Sequence, residues 1–310
     1  MSVINEILIS NLFHWIEYIY RTKNDIKHLV MKKILVPTDF SEEAENAICA
    51  ALSLAVKTNS EIQILHVLDD PIVRSTEVTG ETHRDPMEKV YVFKLIQITE
   101  EKLQALVEEE RFKDIKISWK LKKGNAYKKI SEAIGEEQSS LVIMGTKGAE
   151  GLREILVGSV ADKVVRYADC PVITVKECRD LTHANNIVFA TDLKDDQESI
   201  IEDLKFLQEY YGAKLHIVKV YDSIWLKEEE VEQRINEFAS KVGLKNYTAN
   251  VVEEMDEAYG ILKFARELDA DMIAMGTHDR HGLLHLIAGH VSKDVVNHAH
   301  RPIWTKKLVG

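Results

Sequence analysis

Cysteine is scarce in this sequence. Cys49, Cys170 and Cys178 are the only three, too few and too scattered for a disulfide framework or a zinc knuckle, and a reducing compartment suits such a chain. Long apolar runs are missing as well. No stretch approaches the roughly 20 uninterrupted apolar residues of a membrane span, and the N-terminus has neither the basic start nor the small-residue cleavage site of a signal peptide. The expected location is the cytoplasm. Positive charge is also in deficit. With 40 Lys and Arg against 51 Asp and Glu, the net charge is −11, which argues against a general nucleic-acid or anionic-membrane surface, because such surfaces need Lys and Arg to neutralise phosphates. A local basic pocket remains compatible with it.

What the sequence does contain is a repeat. The segment Ile34-Leu35-Val36-Pro37-Thr38-Asp39 returns as Ile187-Val188-Phe189-Ala190-Thr191-Asp192, 153 positions later. Met144-Gly145-Thr146 returns as Met275-Gly276-Thr277, and Ala168, Pro171 and Lys176 return as Ala299, Pro302 and Lys307, all 131 positions later. The conserved order and spacing within the chain imply an internal duplication. The shortfall of 22 lies between the second strand and the glycine loop, where the first half has the longer connection over 69–86, a surface loop.

Within each half, short apolar runs alternate with stretches of helical period, the pattern of a parallel sheet covered by helices. In the first half the runs 34–36, 62–68, 115–121, 141–144 and 172–175 read as strands, with helices near 42–57, 87–111, 127–136 and 159–167. In the second half 187–190, 214–221, 247–252, 272–275 and 303–305 occupy the strand places. The expected fold class is therefore α/β, with two tandem domains at 31–177 and 185–310, each a five-stranded parallel sheet flanked by helices and Rossmann-like, joined by a polar linker at 178–184.

Residues 1–30 belong to neither copy. Ile4, Ile7, Leu8, Leu12, Trp15, Ile16 and Ile19 recur at spacings of three and four, which predicts one amphipathic helix. Glu6, His14 and Glu17 interrupt it too often for a membrane span, so docking onto the body or a protein partner is its expected use. Met31 directly precedes the first strand and would also be a natural start, so an extension and a misplaced start codon both fit.

The richest local signal is the segment 141–160, where a buried strand runs through Gly145 and Gly148 to Gly158-Ser159 at the start of a helix. Glycines let a backbone approach a ligand closely, and a helix N-terminus offers free N–H groups to phosphate. Isolated glycines more often make tight turns; here the spacing and the strand-to-helix setting favour nucleotide. Asp39 stands at another strand-to-helix junction, where Ser41 before Glu42 and Glu43 is the better helix cap. Lys147 and Arg153 could offset phosphate charge, although surface basic residues are commonly just solvated.

As a set, Val36-Pro37-Thr38-Asp39-Phe40-Ser41, Leu65-His66-Val67, the loop Gly145, Gly148, Gly158-Ser159 and Ala168-Asp169-Cys170-Pro171-Val172 resemble the universal stress protein family over most of residues 32–308. The resemblance implies a five-stranded parallel sheet related to adenine-nucleotide alpha-hydrolase-like domains, and ATP as ligand. It also implies roles. Pro37 would belong to the binding set, Asp39 would hold the adenine or ribose side, and Val67 would meet the adenine through its backbone. Met144, Gly145 and Gly148 would line the ribose and α-phosphate; Gly158, Ser159 and Val160 would take the outer phosphates. Mg²⁺ accompanying ATP is the only metal this suggests.

In the second copy Asp279 replaces the second glycine and His290 the serine. An aspartate resists positive φ and brings negative charge near the phosphates, so this site is expected to be degenerate. His278, His281, His285, His290, His298 and His300 raise the question of a metal, but spacing alone assigns no ligand set. The expected function is a regulatory, stress-responsive ATP-binding protein. A slow ATP-hydrolysing enzyme and a scaffold without nucleotide are the alternatives, and the absence of a Walker-type loop or a carboxylate pair beside the glycines does not favour catalysis. The last strands, 172–175 and 303–305, could pair within one chain as a pseudo-dimer, and a homodimer of chains would fit equally.

Overall fold

The computed structural model describes residues 32–69, 86–146, 158–221, 227–277 and 291–308. The expected N-terminal helix, most of the 69–86 connection, and Lys147, Gly148, Arg153, His278, Asp279, His281, His285 and His290 lie outside the described residues.

The first repeat runs β1 (Lys33–Thr38), α1 (Glu42–Thr58), β2 (Glu61–Leu68), α2 (Pro86–Val107), β3 (Ile117–Lys123), α3 (Ala126–Glu136), β4 (Leu141–Gly145), α4 (Ser159–Tyr167) and β5 (Val172–Val175). The second runs β6 (Asn186–Ala190), α5 (Ile201–Tyr211), β7 (Lys214–Tyr221), α6 (Glu228–Val242), β8 (Tyr247–Glu253), α7 (Glu257–Glu267), β9 (Met272–Thr277), α8 (Val291–His298) and β10 (Ile303–Lys307). The strand order is β3-β2-β1-β4-β5-β10-β9-β6-β7-β8. Each set of five is parallel, and the two sets meet where β5 and β10 pair antiparallel, Ile173 opposite Trp304. The last strands thus do pair within the chain. Both are short, and Ile173, Trp304 and Thr305 at the seam are fully or nearly fully buried.

Side-chain alternation explains the layers. Leu35, Leu65, Val142 and Met144 face the same core as Ile130 and Ala133 of α3 and Val164 of α4, and this cluster continues into the second repeat through Val172 and Ile303. Intervening residues such as Ile34 and Val36 face the opposite layer, where α1 covers β1, β4 and β5. Helix α1 suits that place because Ala44, Ala47, Ala51 and Ala55 lie buried with Ile48 and Leu54, small residues that admit a close approach to the sheet. The Ser41 hydroxyl caps it, accepting the Ala44 N–H at 3.2 Å, and Asn59 closes it at φ 54°.

The stretch between α2 and β3 runs against expectation. Helix α2 stops at Val107 and a 3₁₀ turn follows at Glu110–Phe112, because the buried Phe112 turns the chain and its carbonyl accepts from the Ile115 amide. Strand β3 consequently starts two residues late, at Ile117.

The cysteines require a larger correction. Cys49 and Cys178, 129 positions apart, form a disulfide with a Cα–Cα separation of 5.5 Å. No spacing signal reveals this pair. They meet because α1 lies over β5, so the segment leaving β5 must pass alongside that helix. Among the described residues no helix is long and apolar enough to cross a membrane.

Candidate functional site

In an open parallel sheet a ligand crevice forms beyond the carboxyl ends of the strands, at the point where the strand order reverses. In the first repeat that point is between β1 and β4, which carry the chain to opposite sides. Pro37 shapes the opening. Lys33 accepts from Ser140 on the β4 side, so by the two-residue period Pro37 also faces β4, where it has no N–H to donate. The β1–β4 ladder holds only two rungs, Ile34 with Leu141 and Leu35 with Val142. The equivalent residue in the second repeat is Ala190, and there the β6–β9 ladder continues for four rungs to Ala190 with Met275.

The chain leaves β1 through a tight turn. Thr38 Oγ1 accepts the Phe40 amide at 3.0 Å, Asp39 Oδ1 accepts the Ser41 amide at 3.0 Å, and Phe40 adopts φ 64°. Burial is the largest influence on the Asp39 carboxyl and pushes its pKa up. Hydrogen bonds from Ser41 and its own backbone, with the nearby His66, outweigh that and hold it below the ordinary aspartate value. Asp39 is therefore a charged acceptor at neutral pH. The turn also affects Val67. The Glu61 amide bonds to Lys32 and the Ile62 amide to Lys116, so alternation directs the Val67 peptide groups toward β1. The β1–β2 register ends one step earlier, at Thr38 with His66. The Phe40 amide, which a continuing ladder would bring to Val67, donates to Thr38 instead. The Val67 carbonyl is thus left without a ladder partner on β1.

Two residues here carried no individual weight in the sequence. Phe40 stacks on the His66 ring at 4.8 Å between centroids, and Lys102 reaches over the Phe40 ring at 5.6 Å. His66 Nδ1 lies 2.8 Å from the Thr38 carbonyl. Burial lowers its pKa below the usual histidine value more than that carbonyl raises it. The repeat itself held the signal, because the offset of 153 places Leu193 and Lys219 at these positions in the second copy.

At the end of β4, Met144 is buried and Gly145 abuts the first turn of α1. A Cβ on Gly145 would stand 1.8 Å from the Glu43 carbonyl oxygen. Across the crevice, α4 begins at Ser159, and its N-cap is Gly158, which has no side chain to cap it. A helix that returns from β4 to the start of β5 must point its N-terminus toward the strands' carboxyl ends. Gly158, Ser159 and Val160 therefore sit at the same end of the sheet as Pro37, Asp39, Val67, Met144 and Gly145. Among the described residues nothing lies within 4 Å of where a Cβ on Gly158 would be.

The second repeat copies the turn but not its surroundings. Leu193 takes φ 62° and its amide donates to Thr191 Oγ1 at 3.0 Å. Asp192, however, pairs with Lys194 at 2.6 Å, and Lys219 pairs with Glu257 at 3.4 Å. The stacked rings are absent at these positions. A Cβ on Gly276 would meet the Leu308 side chain at 2.7 Å rather than backbone.

A groove of about 780 Å³ lies between α7 and α8, lined by Tyr259, Leu262, Arg266, His298 and Arg301 among others. It includes His298 and His300 but none of the residues predicted to bind nucleotide. His298 Nδ1 lies 2.8 Å from the Asp294 carbonyl. Among the described residues no three His, Cys, Asp or Glu side chains are grouped to hold a metal ion.

The architecture and its duplication agree with comparisons to known proteins. A model described as the universal stress protein family matches residues 31–176 and 183–305. A universal stress protein of Methanocaldococcus jannaschii is 30% identical over 152 residues, covering 47% of this chain and 82% of that protein. A solved universal stress protein from Archaeoglobus fulgidus superposes with a TM-score of 0.68 at 23% identity, covering 89% of this chain and 98% of its own. A putative universal stress protein from Pseudomonas aeruginosa gives 0.61 at 20% identity, with 91% and 95% covered. At such identities the structural likeness is one of fold.

Proposed function

The chain belongs to the universal stress protein family, and from that premise we propose that its first repeat, 31–177, binds ATP as a regulatory ligand while the second, 185–310, does not. The observation that carries this reading is the unequal switch point. Pro37 stops the β1–β4 ladder after two rungs, whereas the ladder past Ala190 runs for four.

In the open crevice the Val67 backbone edge would meet the adenine, and the charged Asp39 would accept from the ribose hydroxyls. Met144, Gly145 and Gly148 would line the ribose and α-phosphate. The outer phosphates would lie on the N-terminus of α4, where the Gly158, Ser159 and Val160 amides and the Ser159 hydroxyl combine with the helix dipole. Mg²⁺ would accompany them. Binding then shifts the protein's partners or shape, and turnover is incidental.

Equilibrium dialysis of the full chain against labelled ATP should give one nucleotide per chain. Two per chain, or none, would overturn the reading. Pro37→Ala restores an N–H and should let the β1–β4 ladder lengthen, lowering ATP affinity roughly tenfold, about 1.4 kcal/mol, with folding stability retained in urea. Unchanged affinity in a folded Pro37→Ala protein would remove the ladder from the explanation.

A further inference from the structure

The segment that leaves β5 does not hang free between the repeats. It is strapped along one face of α1 by residues at helical spacing. Asn46 Nδ2 donates to the Lys176 carbonyl at 3.1 Å, Ser53 Oγ accepts the Leu181 amide at 2.9 Å, and the Lys57 ammonium donates to the Thr182 carbonyl. Cys49 lies between these anchors on the same face and is bonded to Cys178 of the strap. The second repeat holds the strap too, because the Tyr211 hydroxyl donates to the Leu181 carbonyl at 2.8 Å.

We propose that Cys49 and Cys178 form a reversible thiol–disulfide latch that fastens the inter-repeat strap to α1 in response to the surrounding thiol redox state. Three observations support it independently of the nucleotide reading. The Cα–Cα separation of 5.5 Å falls in the range a disulfide spans without backbone movement. The non-covalent anchors on either side keep the strap in place when the bond is open, so the two sulfurs stay close and reclosure is an intramolecular step at high effective concentration. Cys178 is exposed and Cys49 partly so, which makes the bond accessible to exchange; accessible disulfides are the labile and regulatory ones. Cys170 is the contrast, buried with its thiol pKa pushed up to about 12 by desolvation.

The chemistry needs a low-molecular-weight disulfide as oxidant. One cysteine thiolate attacks it, forming a mixed disulfide and releasing one small thiol. The second cysteine then attacks the mixed disulfide, closing the Cys49–Cys178 bond and releasing the other thiol. Two protons and two electrons leave the protein, and one small disulfide becomes two thiols. Excess small thiol runs the same steps backward.

The test equilibrates the full folded chain in buffers of graded reduced and oxidised glutathione, quenches by alkylation and maps the peptides by mass. The Cys49–Cys178 peptide should appear and disappear reversibly in one two-electron transition, with Cys170 protected until unfolding. The oxidised form should melt on the order of 5–10 °C higher, as expected for closing a long loop in a chain of this size. Cys49→Ser and Cys178→Ser should each abolish both the transition and the difference in melting, while Cys170→Ser should preserve both. Separate glutathione adducts on Cys49 and Cys178 with no linked peptide at any ratio would overturn the proposal. So would a linked peptide that excess glutathione cannot open in the folded protein.

Discussion

Gly145→Ala is expected to destabilise the protein by about 3 kcal/mol, at the upper end of the usual cost of overpacking, and to abolish ATP binding in whatever fraction still folds. The added methyl would stand 1.8 Å from the Glu43 carbonyl oxygen and 2.2 Å from its carbon. Those are backbone atoms in the first turn of a helix, so no rotamer change relieves the overlap. Either α1 retreats, carrying with it the turn that holds Asp39, or β4 shifts at the mouth of the crevice. Gly276→Ala is the control. There the nearest atoms belong to the Leu308 side chain, which can rotate away, and the cost should be nearer 1 kcal/mol. Urea unfolding of both variants reads the difference. Equal effects would show that the α1 contact at Gly145 does not distinguish the repeats.

Trp304→Ala is expected to cost about 3–5 kcal/mol, the range for truncating a large buried aromatic. Trp304 is 2% exposed and pairs with the fully buried Ile173 across the antiparallel seam. The indole fills space where, among the described residues, the sheets of the two repeats join, so its removal should weaken the coupling between them as well as the core. The wild-type chain should unfold in denaturant as one cooperative unit; Trp304→Ala should show a lower midpoint and two resolved transitions. A midpoint change equivalent to less than about 1 kcal/mol would mean that the seam contributes little and that each repeat is stable by itself.

Much of the fold could be read locally. The runs 34–36, 62–68 and 141–144 are apolar because strands in a parallel sheet are covered on both faces, and Ser41 before Glu42 and Glu43 marks a helix start by the chemistry of a single turn. These signals depend on neighbours a few residues away. Boundaries were less legible where a distant contact intervenes: burial of Phe112 ends α2 early and delays β3. In the candidate site, the glycines and the start of α4 were recognisable as features that suit a phosphate ligand, and Asp39 as a carboxylate that Ser41 leaves free of the helix cap. The stack of Phe40 on His66 was not, since it requires a residue at positive φ on one strand's exit to meet a side chain on the next strand.

By itself, then, the sequence determined that the chain is a duplicated α/β protein with strands and helices in a known order, that its glycine loop differs between copies, and that its family is recognisable from short motifs. All of these reside in periodicity, turn chemistry and internal spacing. The tertiary structure alone decided that β5 and β10 pair, that the missing N–H of Pro37 falls on the side facing β4, that Gly145 abuts Glu43, and that Cys49 meets Cys178. Each of these joins residues far apart in the chain, or depends on which side of a strand a single group faces. That information arises only once the sheet order and the packing of α1 bring the partners together.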